Sequence, residues 1–261
     1  MSVEHPAYGV LRPVTAKAAV LLQSNPNPMT LDGTNTWLLR APGASSTVVV
    51  DPGQGDADHL DRLLAAAPSI DLVLVTHGHF DHAEAAAELH RRTGAPVRAI
   101  DPQHCRGAAP LSDGEGIVAA GVAIRVLATP GHTADSASFV VGDEAVLTGD
   151  TILGRGTTVV VHPDGVLADY LASLERLREL GDAIVLSGHG PELPSVREAA
   201  AYYLAHRQER LEQVRAALAS LGPRASARQI VEVVYADVDP AVWGAAELSV
   251  RAQLAYLKDH G

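Results

Sequence analysis

The chain has 261 residues, 47% of them hydrophobic by type, and a formal net charge of −11 from 20 basic and 31 acidic side chains. That balance excludes a polyanion-binding protein acting through one overall positive field, because phosphate-backbone affinity rests on Lys and Arg displacing counterions. No window approaches the roughly 18 consecutive apolar residues of a membrane helix, and "MSVEHPAYGV" opens with acid and proline where a secretory leader has a basic patch and an apolar core. The single Cys105 cannot close an internal disulfide, so the expectation is a cytoplasmic chain with no membrane partner. Residues 195–261 hold eight basic and eight acidic side chains, which leaves the whole acidic excess to residues 1–194. An acidic half of that kind suits a site that concentrates cations.

From residue 35 to 190 one rhythm repeats: a short β-branched run, turn residues, then a loop or helix. The runs at 36–40 ("TWLLR"), 46–53, 71–77, 96–100, 122–132, 136–142, 144–150, 157–161 ("TTVVV") and 182–190 are bounded by Gly, Pro and Asp. They are predicted to be buried strands. Helical patterns lie at 58–66, 82–92 and 167–180, the last two stopped by Gly94 and Gly181, which can take the left-handed cap. Beyond Pro194 the texture is helix only. A helix starts at Ser195 with Glu198 as a capping box and stops at Gly222-Pro223, and a second repeats the device with Ser226 and Gln229. A third starts at Asp239-Pro240 and carries an i,i+4 pair of Glu247 and Arg251. The expected fold is α/β, with a sheet sandwich over residues 1–194 and a small helical, winged-helix-like domain over residues 195–261.

Five predicted strands end in, or are followed at once by, Asp or His: Asp51, His77 with its neighbours, His132, Asp150 and His189. Side chains just past a strand end enter the crevice above the sheet, so they converge without being sequence neighbours. "THGHFDH" (76–82) supplies His77, His79, Asp81 and His82, more than one catalytic ion usually takes from a single loop. With His132, Asp150 and His189 there are seven candidates, enough for two ions sharing a carboxylate. Imidazole and carboxylate without thiolate suit zinc, iron or manganese better than copper(I) or an iron–sulfur cluster. Two such ions would acidify a water held between them, so no protein nucleophile is needed, and Asp81 is the candidate catalytic residue that accepts the proton.

"THGHFDH", "PGHT", "TGD" and "SGHG", in that order, resemble the metal motifs of the metallo-β-lactamase-fold hydrolases. The resemblance implies an αββα sandwich with two Zn2+ per chain. Residue by residue it assigns His77, His79 and His132 to one ion, Asp81, His82 and His189 to the other, and Asp150 to a bridge. "LDGTNTWLLR", "GDTILGRGTT", "ADYLASLERL" and the tail from 236 are similar to the lactamase-beta-like 2 group, whose best-known member is a single-strand-selective endoribonuclease with a winged-helix-like C-terminal domain. Two departures stand out. Ala83-Glu84-Ala85 replaces the small glycines common after the motif and would put an extra carboxylate beside the metals, and no basic stripe for RNA is present.

Around this centre, Asp51 is expected to orient the His-rich loop. Asn35, Thr36 and the loop Gly154-Arg155-Gly156-Thr157 are expected to line the pocket, with Arg155 meeting an anionic substrate and Thr157 beside it. His5, His59, His90, His104, His162, His206 and His260 lack companions at ligand spacing and read as surface or packing imidazoles, with His162 and His206 the two to watch as substrate contacts. The expected function is a metal-dependent hydrolase of an ester, thioester, lactone or related small molecule, because the catalytic half is acidic and aromatics are only 4% of the chain. Bases of single strands usually stack on such aromatics. The alternatives are a single-strand-selective endoribonuclease, as the resemblance implies, and a nucleic-acid-binding module reading a duplex through its tail. A homodimer is compatible with either.

Overall fold

The computed structural model describes residues 7–260, so His5 and the first six positions of the N-terminus lie outside it. Two sheets face each other. The first has six strands in spatial order β1 (Leu11–Pro13), β2 (Ala18–Leu22), β3 (Asn35–Leu39), β4 (Thr47–Val50), β5 (Ile70–Leu74) and β6 (Val97–Arg98). Its first four strands are antiparallel, and β4, β5 and β6 run parallel. The second has five strands, β7 (Gly116–Ala119), β8 (Val122–Ala128), β9 (Ala137–Val141), β10 (Ala145–Gly149) and β11 (Ile184–Ser187). These pair in order, antiparallel until β10 and β11, which are parallel.

Period-two alternation builds the layers. Val48 and Val50 of β4 and Leu72 and Leu74 of β5 join Phe139, Val141 and Leu147 of the opposite sheet in one core. The intervening Val49 and Val73 face outward onto the helices α1 (Ala57–Ala66) and α3 (Ala86–Thr93), through Leu60, Leu63 and Leu89. A four-residue helix, α2 (Phe80–Ala83), precedes α3, so the helix read at 82–92 is broken in two. Its end at Gly94, with φ of 73°, is the expected left-handed cap. On the other sheet, Val140, Val146 and Val185 pack against Leu174 and Tyr170 of α4 (Leu167–Arg178) and Tyr203 of α5 (Val196–Leu221). Each fully buried aliphatic side chain in these layers contributes about 1.5–3 kcal/mol. The order helix, sheet, sheet, helix is the expected αββα sandwich.

The tail adds α6 (Ala227–Val234) and α7 (Trp243–His260), which close a small core with the second half of α5 around Val214, Ile230, Val231 and Val250. Ser226 and Gln229 form a full capping box, whereas Ser195 caps Glu198 N without a return bond. Asp239 caps a 3-10 turn at Pro240–Val242 ahead of α7. Glu247 and Arg251 pair at 2.7 Å. No described helix is long and apolar enough to cross a membrane.

The hairpin of β1 and β2 lies before the runs read from the sequence, with Pro13 on its edge strand, where a missing N–H costs nothing. One reading of local structure is corrected. The run 157–161 is no strand. Three of its backbone groups are taken by side chains instead: Val159 O by His132 Nδ1 at 2.6 Å, Thr158 O by Arg207 Nη2, and Val160 N by Ser249 Oγ at 3.2 Å.

Candidate metal centre

The C-terminal ends of β4, β5, β10 and β11 come together at one edge of the sandwich. The two sheets touch there at Gly149, whose φ is 49° and where an added Cβ would lie 2.6 Å from Thr76 Oγ1. Ala137 N also donates to Thr76 O across the sheets at 2.8 Å. The segments after these strand ends deliver His77, His79, Asp81, His82, His132, Asp150 and His189 to one place. Three sets of ligand atoms each fall within 4.8 Å of one another: His77, His79 and His132; Asp81, His82 and His189; and His77, His82 and Asp150.

In the first set His79 Nδ1 lies 3.0 Å from His77 Nε2 and 3.2 Å from His132 Nε2. In the second, His189 Nε2 lies 3.2 Å from both His82 Nε2 and Asp81 Oδ2. Asp150 reaches both, with Oδ1 3.5 Å from His82 Nε2 and Oδ2 3.5 Å from His189 Nε2 and 3.8 Å from His132 Nε2.

Four of these imidazoles are held from behind. His77 Nδ1 meets Thr76 Oγ1 at 3.1 Å, His82 Nδ1 meets Asp51 Oδ2 at 2.9 Å, His132 Nδ1 meets Val159 O, and His189 Nδ1 meets Gly33 O at 3.0 Å. Donating the outer N–H to an oxygen leaves Nε2 as a lone pair aimed inward, the arrangement that metal-ligating histidines use. Asp51 does more than expected of it, since it also accepts from Thr76 N at 2.8 Å and Thr76 Oγ1 at 2.7 Å. Because Thr76 Oγ1 donates to Asp51, it can accept from His77. One carboxylate therefore orients two imidazoles, directly and through the threonine.

Burial lowers the His77 pKa well below its ordinary value, reinforced by His82 and His132. Burial likewise brings His132 to about 4 and lowers His79, against the pull of Asp150. At His82 and His189 burial is outweighed by carboxylates: Asp150 and Asp51 hold His82 well above its ordinary value, and Asp150 and Asp81 bring His189 to about 9. Asp150 and Asp81 stay below the usual carboxylate range in spite of burial, through their histidine neighbours. Ionised carboxylates and neutral imidazoles are the forms that bind a cation, and the protons on His82 and His189 are those it would displace.

The donor set fits a metal. Asp150 Oδ1 is buried with no hydrogen-bond partner, a cost that a charge-neutralising ligand would remove. Gly188 lies against this space: a Cβ there would sit 2.7 Å from Asp150 Oδ1 and 2.7 Å from His82 Cε1.

Other expectations are redistributed. Asn35 is 2% exposed and donates from Nδ2 to Ser187 O at 3.0 Å and Gly190 O at 2.8 Å, fixing the turn that carries His189. Thr36 is fully buried and donates to Asp51 O at 2.8 Å while accepting from His59 Nε2 at 2.9 Å. Both strand-start side chains point into the interior because β3 is covered on both faces. Arg155 is exposed, pairs with Asp32 and lines, with Gly154 and Gly156, a separate cavity against Tyr202 and Tyr203; it is not among the walls of the cavity that contains His132 and Asp150. Glu84 turns outward and accepts from Gly55 N at 2.8 Å, so it is not an extra carboxylate at the centre. Cys105 Sγ rests against Ala99 O at 3.5 Å as a packing residue.

Thr157 does line the cavity beside the cluster, a space of about 280 Å3 between the strand ends and the tail. Its walls include His132 and Asp150 on one side and His206, Arg207, Arg210 and Tyr235 on the other. His206 is thus a cavity residue, whereas His162 is not among its walls. Arg207 and Arg210 escaped the sequence reading, since their helical spacing carries no signal until α5 is docked on the sandwich.

Residues 29–189 match the Metallo-beta-lactamase superfamily, and residues 226–261 match the Beta-lactamase associated winged helix domain. The chain is 30% identical to a Beta-lactamase-like protein 2 homolog of Drosophila melanogaster, over 95% of this chain and 90% of that protein. It is 33% identical to an Atrochrysone carboxyl ACP thioesterase of Aspergillus fumigatus, over 83% of this chain and 68% of that one. A crystal structure of a Beta-lactamase domain protein from Burkholderia ambifaria superposes with a TM-score of 0.82 at 25% identity, covering 98% of this chain and 89% of that one. The sandwich, the converging histidines and aspartates and the helical tail are thus those of a shared lineage, and the chain belongs to the metallo-beta-lactamase superfamily, in its branch with an associated winged helix domain.

Proposed function

We propose that the protein is a metal-dependent hydrolase that cleaves an ester, thioester or lactone of a small molecule at a dinuclear zinc centre, with manganese or iron as substitutes. His77, His79 and His132 would hold one ion, Asp81, His82 and His189 the other, and Asp150 would lie between them. The observation that carries this reading is the buried Asp150 Oδ1, without a hydrogen-bond partner, among the ligand sets. Bound there, the ions would supply Lewis acidity toward a carbonyl oxygen and lower the pKa of a water between them.

The chain's own residues do the rest. Asp81, 8% exposed, would be the carboxylate that takes up a proton beside its role as a ligand. Asp51 and Thr76 keep His77 and His82 in the tautomer that presents Nε2 inward. The cavity beside His132 and Asp150 receives the acyl part and excludes water from it. Similarity to a protein named as an acyl-carrier thioesterase supports this substrate class. The lone Cys105 supports a cytoplasmic setting.

Cleavage of single-stranded RNA is the second reading, favoured by the near full-length similarity to Beta-lactamase-like protein 2 homologs and by Phe80, 62% exposed beside Asp81, on which a base could stack. The deciding experiment measures bound metal, then assays thioester, ester, lactone and single-stranded RNA side by side for wild type, Asp81→Ala and His77→Ala. Acyl hydrolysis that follows metal content and is lost in both variants is expected. Metal-dependent RNA cleavage lost in Asp81→Ala, without acyl hydrolysis, would move the assignment to the second reading. Less than one metal per chain, unchanged by His77→Ala, would end both.

A further inference from the structure

We infer that the far wall of the cavity is an anion-binding subsite built by Arg207, Arg210 and His206, so that the substrate carries a carboxylate or phosphoryl group at the end of a short apolar acyl arm. The inference deepens the hydrolase reading and rests on it for the identity of the other end of the substrate.

Arg207 is 2% exposed, and its partners among the described residues are a backbone oxygen and an aromatic ring rather than a carboxylate. Its Nη2 donates to Thr158 O and its guanidinium lies 5.0 Å from the centroid of the Tyr170 ring, which accounts for one edge and one face. Its Nε remains buried with no partner. Leaving a charged donor unsatisfied in the interior costs more than leaving a neutral one.

Arg210, half-buried, lies on the same wall. It donates to Gln213 Oε1 at 2.8 Å and Val234 O at 3.1 Å, lies 4.6 Å from the Tyr235 ring centroid, and meets no described carboxylate. Its Nε donates to His206 Nε2 at 3.4 Å, so the proton of that neutral ring sits on Nδ1, which is also buried without a partner. Burial, then Arg207 and Arg210, bring the His206 pKa to about 4 against the opposing Glu209, as expected where cations outnumber anions.

The two unsatisfied atoms recorded among these residues, Arg207 Nε and His206 Nδ1, are therefore both donors. Apart from Asp150, which belongs to the metal centre, no acid is among the residues lining the cavity. In a chain with a net charge of −11 that is a local inversion of sign. Between the two ends the cavity is apolar, walled by Met29, Leu31, Val238, Val242 and Ala246. A volume near 280 Å3 takes an acyl arm of a few carbons, with its carbonyl at Asp150 and its anion at Arg207. Charge-assisted hydrogen bonds of this kind are the strong ones, and a guanidinium suits planar or tetrahedral oxyanions alike.

The first test is free of the metal. Metal-stripped protein, shown folded by circular dichroism, is titrated calorimetrically with glutarate and with propylphosphonate. Saturation by one of them at one per chain is expected, weakened by about tenfold or more in Arg210→Gln. Arg215→Gln, a change to an exposed residue on the same helix paired with Glu212, should bind as wild type. Glutarate binding identifies a carboxylate and propylphosphonate binding a phosphoryl group. Failure of both to bind, or equal binding by Arg210→Gln, overturns the proposal.

The second test compares glutaryl and pentanoyl thioesters of one thiol on the metal-loaded enzyme. If the carboxylate is the anion, the glutaryl substrate should be favoured about tenfold or more in kcat/KM, mostly through KM, with the ratio collapsing in Arg210→Gln. Anion binding without hydrolysis of either thioester would leave the subsite standing and refute the hydrolase reading instead.

Discussion

Asp51→Asn isolates the most consequential contact behind the metal centre. The wild-type carboxylate accepts from Thr76 N, Thr76 Oγ1 and His82 Nδ1, and the Thr76 hydroxyl in turn accepts from His77 Nδ1. An amide has the same shape but one acceptor oxygen. If that oxygen keeps Thr76 N, the NH2 group faces both the Thr76 hydroxyl and His82 Nδ1. His82 can then accept only by moving its proton to Nε2, the nitrogen that points at His189 and Asp150. Thr76 can likewise turn its hydroxyl toward His77, which pushes that ring to the same tautomer. The fold keeps its packing, so stability should fall by only about 1–2 kcal/mol, the worth of one weakened buried hydrogen bond. Metal affinity should fall by about 10–100-fold, the usual effect of removing the partner behind a ligating histidine. Dialysis against graded metal buffers, followed by elemental analysis of metal per chain, reads the affinity, and thermal unfolding reads the stability. A folded Asp51→Asn protein that retains wild-type affinity for both ions would refute the reasoning about tautomers.

Gly188→Ala should leave a folded protein with reduced metal content, because the new Cβ would press on Asp150 Oδ1 and His82 Cε1; elemental analysis with circular dichroism checks it. His59 supplies a pH signature. Its pKa is lowered from 6.5 to about 4, chiefly by burial, so the folded chain binds this proton less readily than the unfolded one. The contribution is therefore fully present above pH 6.5 and declines as pH falls toward 4, by roughly 3 kcal/mol in all. His59→Gln should flatten that part of the stability curve in urea melts, and an unchanged slope would remove His59 as its source. A chain truncated after residue 194 should fail to fold as a monomeric sandwich, since Val196, Ala200 and Tyr203 complete the core beside Tyr170 and Leu174; proteolysis and circular dichroism of the fragment decide it.

The convergence of these histidines and aspartates was legible because its signal is local. Histidines and aspartates placed just after β-branched runs have few structural uses together, and four such segments constrain one another. The walls around the centre were harder to read. Asn35 and Thr36 lie beside a strand start, as pocket residues often do, but whether their side chains face a cavity or the interior depends on what covers β3. The run 157–161 has the composition of a strand, yet no neighbour offers it a ladder, and its pairing with His132, Arg207 and Ser249 is fixed only when the tail docks. Arg207 and Arg210 sit on a helix rich in charges, where nothing in the sequence separates a buried cation from a solvated one.

That docking makes the tail part of the centre. The 157–161 segment is gripped from both sides: His132 Nδ1 takes Val159 O from the sandwich, while Arg207 on α5 takes Thr158 O and Ser249 on α7 takes Val160 N from the tail. The orientation of His132 Nε2 toward His79 and Asp150 therefore depends on residues more than 70 positions away in sequence. The same helix faces Arg207 and Arg210 into the cavity, so one rigid element sets both the aim of a metal-facing imidazole and the charge at the cavity's far end. On the proposed reading, the sandwich would supply the groups that break a bond, and the way α5 lies across it would decide which acyl arm reaches them. A change of tail on the same sandwich should therefore change the substrate while leaving the metal ligands as they are.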